Sequence, residues 1–458
     1  MTMSKTLFED FSEVSSKQWK QLIQYDLKGA DYNETLIWKT DEGIHVKPFY
    51  HADEFQKLPN ISDTKATEWQ ICQTIFVANT EKSNRKAVNA IARGAESIKF
   101  VLPSEDIAVK DLLVNINLTK TPIFFECQFL SAQFIDQFAF TPNLANIHIA
   151  SDIIGNLTKT GNWFKNLKAD HAELEAIVKD TNAFTVHLDL YQNAGANMVQ
   201  QLAYALAHVN EYLNHFDAIL SDKEKQTFIV TFNVAVGSNY FFEIAKLRAL
   251  RTLWPTLAEA YGFNTECFIF VNPTKRNKTL YDYNTNMLRT TTECMSAILG
   301  GANMICNLPY DAIYHKDNEF GERIARNQLL VLKHESYFDK VNNPADGAYY
   351  IESLTQQLAE KSLELFKEIE VNGGFLHQLK EGIIQKKIKE SAAKEQEQFD
   401  KGQLILLGTN KHPNPDDKMK HELELYPFVK KNPIKTLIEP IIEKRLAEAM
   451  EQKRLEDE

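Results

Sequence analysis

FTVHLDLYQNAGANMVQQLAYALAHVNEYLNHFDAILSDKEKQTFIVTFNVAV, residues 184–236, holds one complete strand–helix–strand unit. Phe184 to Tyr191 is an apolar and β-branched run, and Thr227 to Val236 is another. Between them Met198, Leu202, Leu206, Val209 and Leu213 recur at the three- and four-residue steps that place them on one face of a helix.

The same alternation extends in both directions. Further strand-like runs are Trp69 to Val77, Ser97 to Leu102, Pro122 to Leu130, Asn146 to Ile154, Glu266 to Val271 and Asn303 to Leu308. Helical spacing recurs between them, as in Phe241, Ile244, Leu247 and Trp254. Eight units over about 250 residues match an α/β fold of the (β/α)8 TIM-type barrel class, and an open doubly wound sheet would alternate in a similar way. The barrel is the preferred reading.

Elements lie outside the barrel unit on both sides. Ser15 followed by Gln18 reads as a capping box that opens an amphipathic helix with Trp19, Leu22, Ile23 and Leu27, ending by Gly29. After the last strand come helical stretches Gly321 to Glu335 and Glu352 to Glu370, then a strongly charged region from Glu381. That region is interrupted by the Pro-containing His412 to Asp417 and closes with an expected helix, Ile441 to Leu455. The resulting division is an N-terminal arm and subunit-contact region over 1–65, a barrel over 66–380 and a charged helical extension over 381–458.

Composition narrows the class. With 44% hydrophobic and 25% charged residues the chain reads as globular, and no apolar stretch approaches the roughly 20 residues of a membrane span. Met1 to Asp10 lacks the basic start and apolar stretch of a secretory signal, so the cytoplasm is the expected compartment. A net charge of −11, from 51 basic and 62 acidic residues, argues against nucleic acid as a partner. The densest basic spot, Lys275, Arg276 and Lys278, could meet the phosphates of a nucleotide-bearing ligand; the simpler expectation is a solvated loop. Cys72, Cys127, Cys267, Cys294 and Cys306 are scattered and never spaced as C-x-x-C, which predicts buried, reduced thiols.

A barrel enzyme carries its chemistry at the C-terminal ends of its strands. Those positions offer Asn79, Pro103, Asp152, Asp189 with Tyr191, Asn233, Asn272 and Asn307, with no His and no metal-ligand spacing. Asp152 and Asp189 could pair across the mouth, although strand-end carboxylates more often cap the next helix. His187, inside a strand, reads as a satisfied core or outward-facing histidine. There is no G-x-S-x-G elbow, P-loop or G-x-G-x-x-G.

Several stretches together resemble one family. They are YQNAGA at 191–196, LAYALA at 202–207, EIAKLRALR at 243–251, LRTTTECMSAILGG at 288–301, RIARNQ at 323–328 and DGAYYIESL at 346–354. With DLKGA at 26–30, GIHVKPFY at 43–50 and GQLILLGTNK at 402–411, they resemble methylmalonyl-CoA mutase over most of the chain. The resemblance implies a barrel that holds an acyl-CoA along its axis, with adenosylcobalamin on a separate C-terminal flavodoxin-like domain.

The departures then set the expected role. Active chains of that family carry Tyr-His just before Gln-Glu-Ala-Gly-Ala, where this chain has Asp189 and Leu190; leucine can neither donate a hydrogen bond nor move a proton. Their His-x-Gln-Thr-Ser-Gly stretch falls on FVNPTK at 270–275, and their Arg-x-Tyr-Ala-Gly stretch on QICQT at 70–74. None of the 12 histidines stands in Asp-x-His-x-x-Gly, and the chain ends at Glu458 with no cobalamin-binding domain expected. The expectation is a small subunit of a heterodimeric mutase, with no catalytic, cofactor-binding or metal residues of its own. Adenosylcobalamin and the acyl-CoA would then be bound by the large subunit. A catalytic barrel borrowing cobalamin from a separate protein is the alternative. In the first case Leu190, Phe270 and Pro273 are expected to fill the barrel interior.

Overall fold

The computed structural model describes residues 10–55, 66–140, 146–430 and 434–458. The segment read above for a targeting signal lies outside them except for Asp10, as does the boundary drawn at residue 65.

Eight strands form one sheet: β1 (Gln70–Phe76), β2 (Ser97–Leu102), β3 (Ile123–Cys127), β4 (Ile147–Ala150), β5 (Ala183–His187), β6 (Ile229–Val236), β7 (Cys267–Pro273) and β8 (Met304–Cys306). All neighbours are parallel, in the order β4-β3-β2-β1-β8-β7-β6-β5. The first strand therefore pairs with the last, Ile71 opposite Ile305. The series ends at β4 and β5, which meet without a ladder: Thr185 N donates to Ser151 O at 3.2 Å, and His187 N to Asp152 Oδ2 at 2.8 Å. This nearly closed ring excludes the open-sheet alternative.

Side chains alternate across each strand, so each strand feeds two layers. The outward layer packs on helices; Phe232 meets Trp254 of the helix Tyr240–Tyr261 edge to face at 5.7 Å. The helix Met198–Phe216 is buried on nearly all sides, and its Ala203, Ala205 and Ala207 are fully covered. The outer helix Tyr349–Val371 packs against it.

The Ser15–Gln18 capping box is present, and it opens the helix Ser16–Asp26, none of whose residues is buried. At the other end, the helix Ile383–Asp400 is followed by irregular chain, and the last helix is Glu448–Asp457 instead of the expected Ile441–Leu455. The cause is long-range backbone pairing. Leu437 N and Ile438 N donate to Gly161 O, Ile441 N to Thr158 O, Lys444 N to Asn193 O and Leu446 N to Arg276 O, at 2.8–3.1 Å. These amides are spent on other elements, so residues 437–446 form an extended strap over the loops that follow β4, β5 and β7.

Candidate functional site

The barrel interior has two levels. In the lower one Phe124 of β3 lies 5.6 Å from Phe268 and 5.4 Å from Phe270, both of β7, and stacks on His148 of β4 at 4.4 Å. β3 and β7 are not neighbours in the sheet, so these rings meet across the axis and fill it. Cys72 and Met304 complete the apolar cluster. Burial alone lowers the His148 pKa to about 4, which keeps the imidazole neutral within this plug. Phe270 fills the axis as expected. Leu190 does not; it packs into the outer core cluster.

The upper level is charged. Lys99 Nζ lies 2.7 Å from Glu126 Oε2, and 5.0 Å from the centre of the Phe270 ring. Burial pulls the Lys99 pKa down, but the Glu126 carboxylate more than offsets this and raises it. The Lys99 ammonium in turn holds Glu126 well below the usual carboxylate range. Neither residue stood out in the sequence reading. The available signal was a charge at an alternate position of an otherwise apolar strand, in SIKFVL and IFFEC.

The strand-end residues divide by role. Asn79 caps the helix Thr80–Ala92. Asp152 caps Ile153–Thr160 through Gly155 N at 2.7 Å, and it also accepts from Tyr212 Oη at 2.7 Å and from His187 N. His208 Nε2 lies 3.0 Å from it, with Tyr191 Oη 2.9 Å from the other ring nitrogen. Burial would raise the Asp152 pKa, yet His208 and these donors hold it well below the ordinary range. Asp152 is thus the hub of a buried network rather than one half of a carboxylate pair. Asp189 instead faces His187, with 3.5 Å between Oδ1 and Nδ1. Burial opposes the charged His187 ring, but Asp189, Asp152 and Glu126 raise its pKa to about 9. Asn233 Nδ2 lies 3.1 Å from His187 Nδ1, and Asn233 Oδ1 accepts from Asn272 Nδ2 at 2.9 Å. Asn307 bonds Ala325 O and Gln328, bracing β8 against the helix Glu319–His334.

Above this level the strap contributes Glu443, which lines two cavities of about 310 Å³ each. One opens beside β8, β1 and β2, and the other beside β3, β4 and β5. Glu443 Oε1 accepts from Asn193 Nδ2 at 3.0 Å. The strap depends on Gly161, at φ +78°: a Cβ there would stand 2.6 Å from Ile438 O. Gly195 of the YQNAGA stretch is constrained likewise, at φ +98°, with Ala392 Cβ 2.5 Å and Arg276 Cζ 2.9 Å from the place of a Cβ.

The basic spot is not a solvated loop. Arg276 and Lys278 are buried, Arg276 pairing with Glu395 at 2.5 Å and Lys278 with Glu293 at 2.8 Å; only Lys275 is exposed. Both buried cations are committed to carboxylates of this chain. All five cysteines are free, four buried and Cys127 half-buried. Cys306 sits beside Thr74 Oγ1 at 3.0 Å; a hydrogen bond from Cys72 and the nearby Lys99 charge lower its pKa, whereas burial raises that of Cys72. Among the described residues no group of three or more His, Cys, Asp or Glu could hold a metal, and no helix is long and apolar enough to cross a membrane.

Comparison with known proteins bears on this geometry. Residues 144–456 match the family described as Methylmalonyl-CoA mutase. The chain is 35% identical over 442 residues to a methylmalonyl-CoA mutase small subunit of Porphyromonas gingivalis, covering 89% of this chain and 71% of that one. It is 26% identical to a small subunit of Streptomyces virginiae, covering 89% and 72%, and 27% identical to a methylmalonyl-CoA mutase of Rhizobium meliloti, covering 88% and 64%.

Proposed function

This chain belongs to the methylmalonyl-CoA mutase family, and from that premise we propose that it is the small, non-catalytic subunit of a heterodimeric, adenosylcobalamin-dependent mutase. The holoenzyme interconverts methylmalonyl-CoA and succinyl-CoA in the cytoplasm. The large subunit binds the acyl-CoA and the cobalamin, and this chain is its structural partner.

The observation that carries the reading is the filled axis. An acyl chain running along the barrel would have to pass Phe124, His148, Phe268 and Phe270, whose rings touch across it. Leu190 stands where the resemblance calls for an imidazole, and it is buried among apolar neighbours. The cobalt-ligating motif of the family is missing as well, since none of the 12 histidines stands in Asp-x-His-x-x-Gly. His208 is held at both ring nitrogens, by Tyr191 and Asp152, and His148 is stacked in the plug, so neither of these two is free to reach cobalt. The helix Ser16–Asp26 supplies the partner surface, with Leu22 and Tyr25 exposed.

Spectral titration of the isolated chain with adenosylcobalamin, followed by an assay with methylmalonyl-CoA, tests this. No displacement of the lower axial base and no succinyl-CoA are expected. Stoichiometric binding with turnover would replace the reading with a catalytic barrel.

A further inference from the structure

We propose that the mouth cavity beside β8, β1 and β2 is a binding site for a short-chain carboxylate, anchored by Arg326. Arg326 lies on the helix Glu319–His334, is 7% exposed and lines the cavity. Among the described residues its one hydrogen-bond partner is the neutral amide oxygen of Gln73, reached by Nη1, and its Nε meets no acceptor. A guanidinium has five N–H donors, and burying the charge without a counter-ion is costly.

The carboxylate one turn earlier on the same helix is close enough to favour the Arg326 charge but makes no hydrogen bond to its guanidinium. Glu322 is held by Lys86 Nζ at 2.7 Å and by Gln73 Nε2 at 3.2 Å. Glu126, deeper in the wall, is likewise committed to Lys99. The cavity thus retains a guanidinium with unfilled N–H donors, whose planar fork matches two oxygens of one ligand. Val101, Leu308 and Leu329 form apolar wall around the same space, and its volume of about 310 Å³ suits a ligand of a few carbons. Apolar wall favours a carbon body behind the anionic head, so a carboxylate fits better than inorganic phosphate.

Isothermal titration of the full chain with butyrate, glutarate and inorganic phosphate tests this. Saturable binding of at least one carboxylate is expected, weakened at least tenfold in Arg326→Gln, and weakened also in Arg326→Lys, which keeps the charge and loses the fork. Equal affinity in wild type and Arg326→Gln, or no carboxylate binding up to about 10 mM, overturns the proposal. Phosphate binding more tightly than both carboxylates would overturn the ligand class. A second readout separates a binding role from a structural one. The ligand-free melting temperature of Arg326→Met should equal or exceed that of the wild type, because a buried guanidinium with unfilled N–H donors is removed; a fall of several degrees would make Arg326 a structural residue.

Discussion

Trp19 of the arm helix stacks on Phe49 of its own chain, with ring centroids 4.3 Å apart and planes inclined by 24°. The arm is tied down there, and also by Ser16 N donating to Asp53 Oδ2 at 2.9 Å and by Lys20 Nζ 4.6 Å from the centre of the Tyr32 ring, while Leu22 and Tyr25, at 60% and 80% exposure, stay largely uncovered by the described residues. Trp19→Ala should lower both the melting temperature and the affinity for a large subunit. Tyr25→Ala and Leu22→Ala should leave melting almost unchanged and weaken association, by about 2 kcal/mol if they are anchors. Calorimetry of the isolated variants beside titrations with the large subunit reads both effects. Unchanged affinity in all three would remove the arm from the interface.

Lys99→Met leaves the Glu126 carboxylate in the barrel without its counter-ion. The expected cost is about 3–5 kcal/mol in denaturant unfolding, and the double variant with Glu126→Leu should recover most of it. A cost below about 1 kcal/mol would mean that water reaches the pair freely.

His187 makes stability depend on pH in the alkaline direction. Its folded pKa, about 9, exceeds the ordinary value of 6.5. The stabilisation is therefore fully present below pH 6.5 and is lost as pH rises through 9. The full effect is on the order of 3 kcal/mol as an upper figure. The stability difference between wild type and His187→Gln should shrink across that window. A difference constant from pH 6 to 10 would contradict the assigned charge.

Gly161→Ala places a methyl group against Ile438 O on a left-handed backbone. About 1–3 kcal/mol of local stability should be lost, read as faster tryptic cleavage at Lys435 and Lys444 and as faster exchange of the Ile441 amide. Cleavage unchanged from wild type would show that the strap adjusts without strain.

The barrel was legible because each strand is an apolar run of strand length followed by helical spacing. Where the edges differ, side-chain chemistry decided. Asn146 to Ile154 was read as one run, but β4 ends at Ala150 because Asp152 caps a helix starting at Ile153. Phe184 to Tyr191 is likewise cut at His187 by the turn of helix Asp189–Asn193. The capping preference for Asp152 was legible for the same local reason. The strap was not: its hydrogen bonds run to Thr158, Gly161, Asn193 and Arg276, and no periodicity encodes such distant partners. Burial of Arg276 and Lys278 was hidden likewise, since Glu395 and Glu293 lie far along the chain. Arg326 falls within the RIARNQ stretch that marks the family, but its unfilled Nε donor is a property of the folded mouth alone.

Co-expression with a methylmalonyl-CoA mutase large subunit decides whether this barrel is a partner or a catalyst. Each chain alone and the pair together would be sized and assayed with methylmalonyl-CoA and adenosylcobalamin. A one-to-one complex is expected, with activity in the complex and none in this chain alone. Turnover by this chain without the large subunit, or two chains that elute separately, would contradict it.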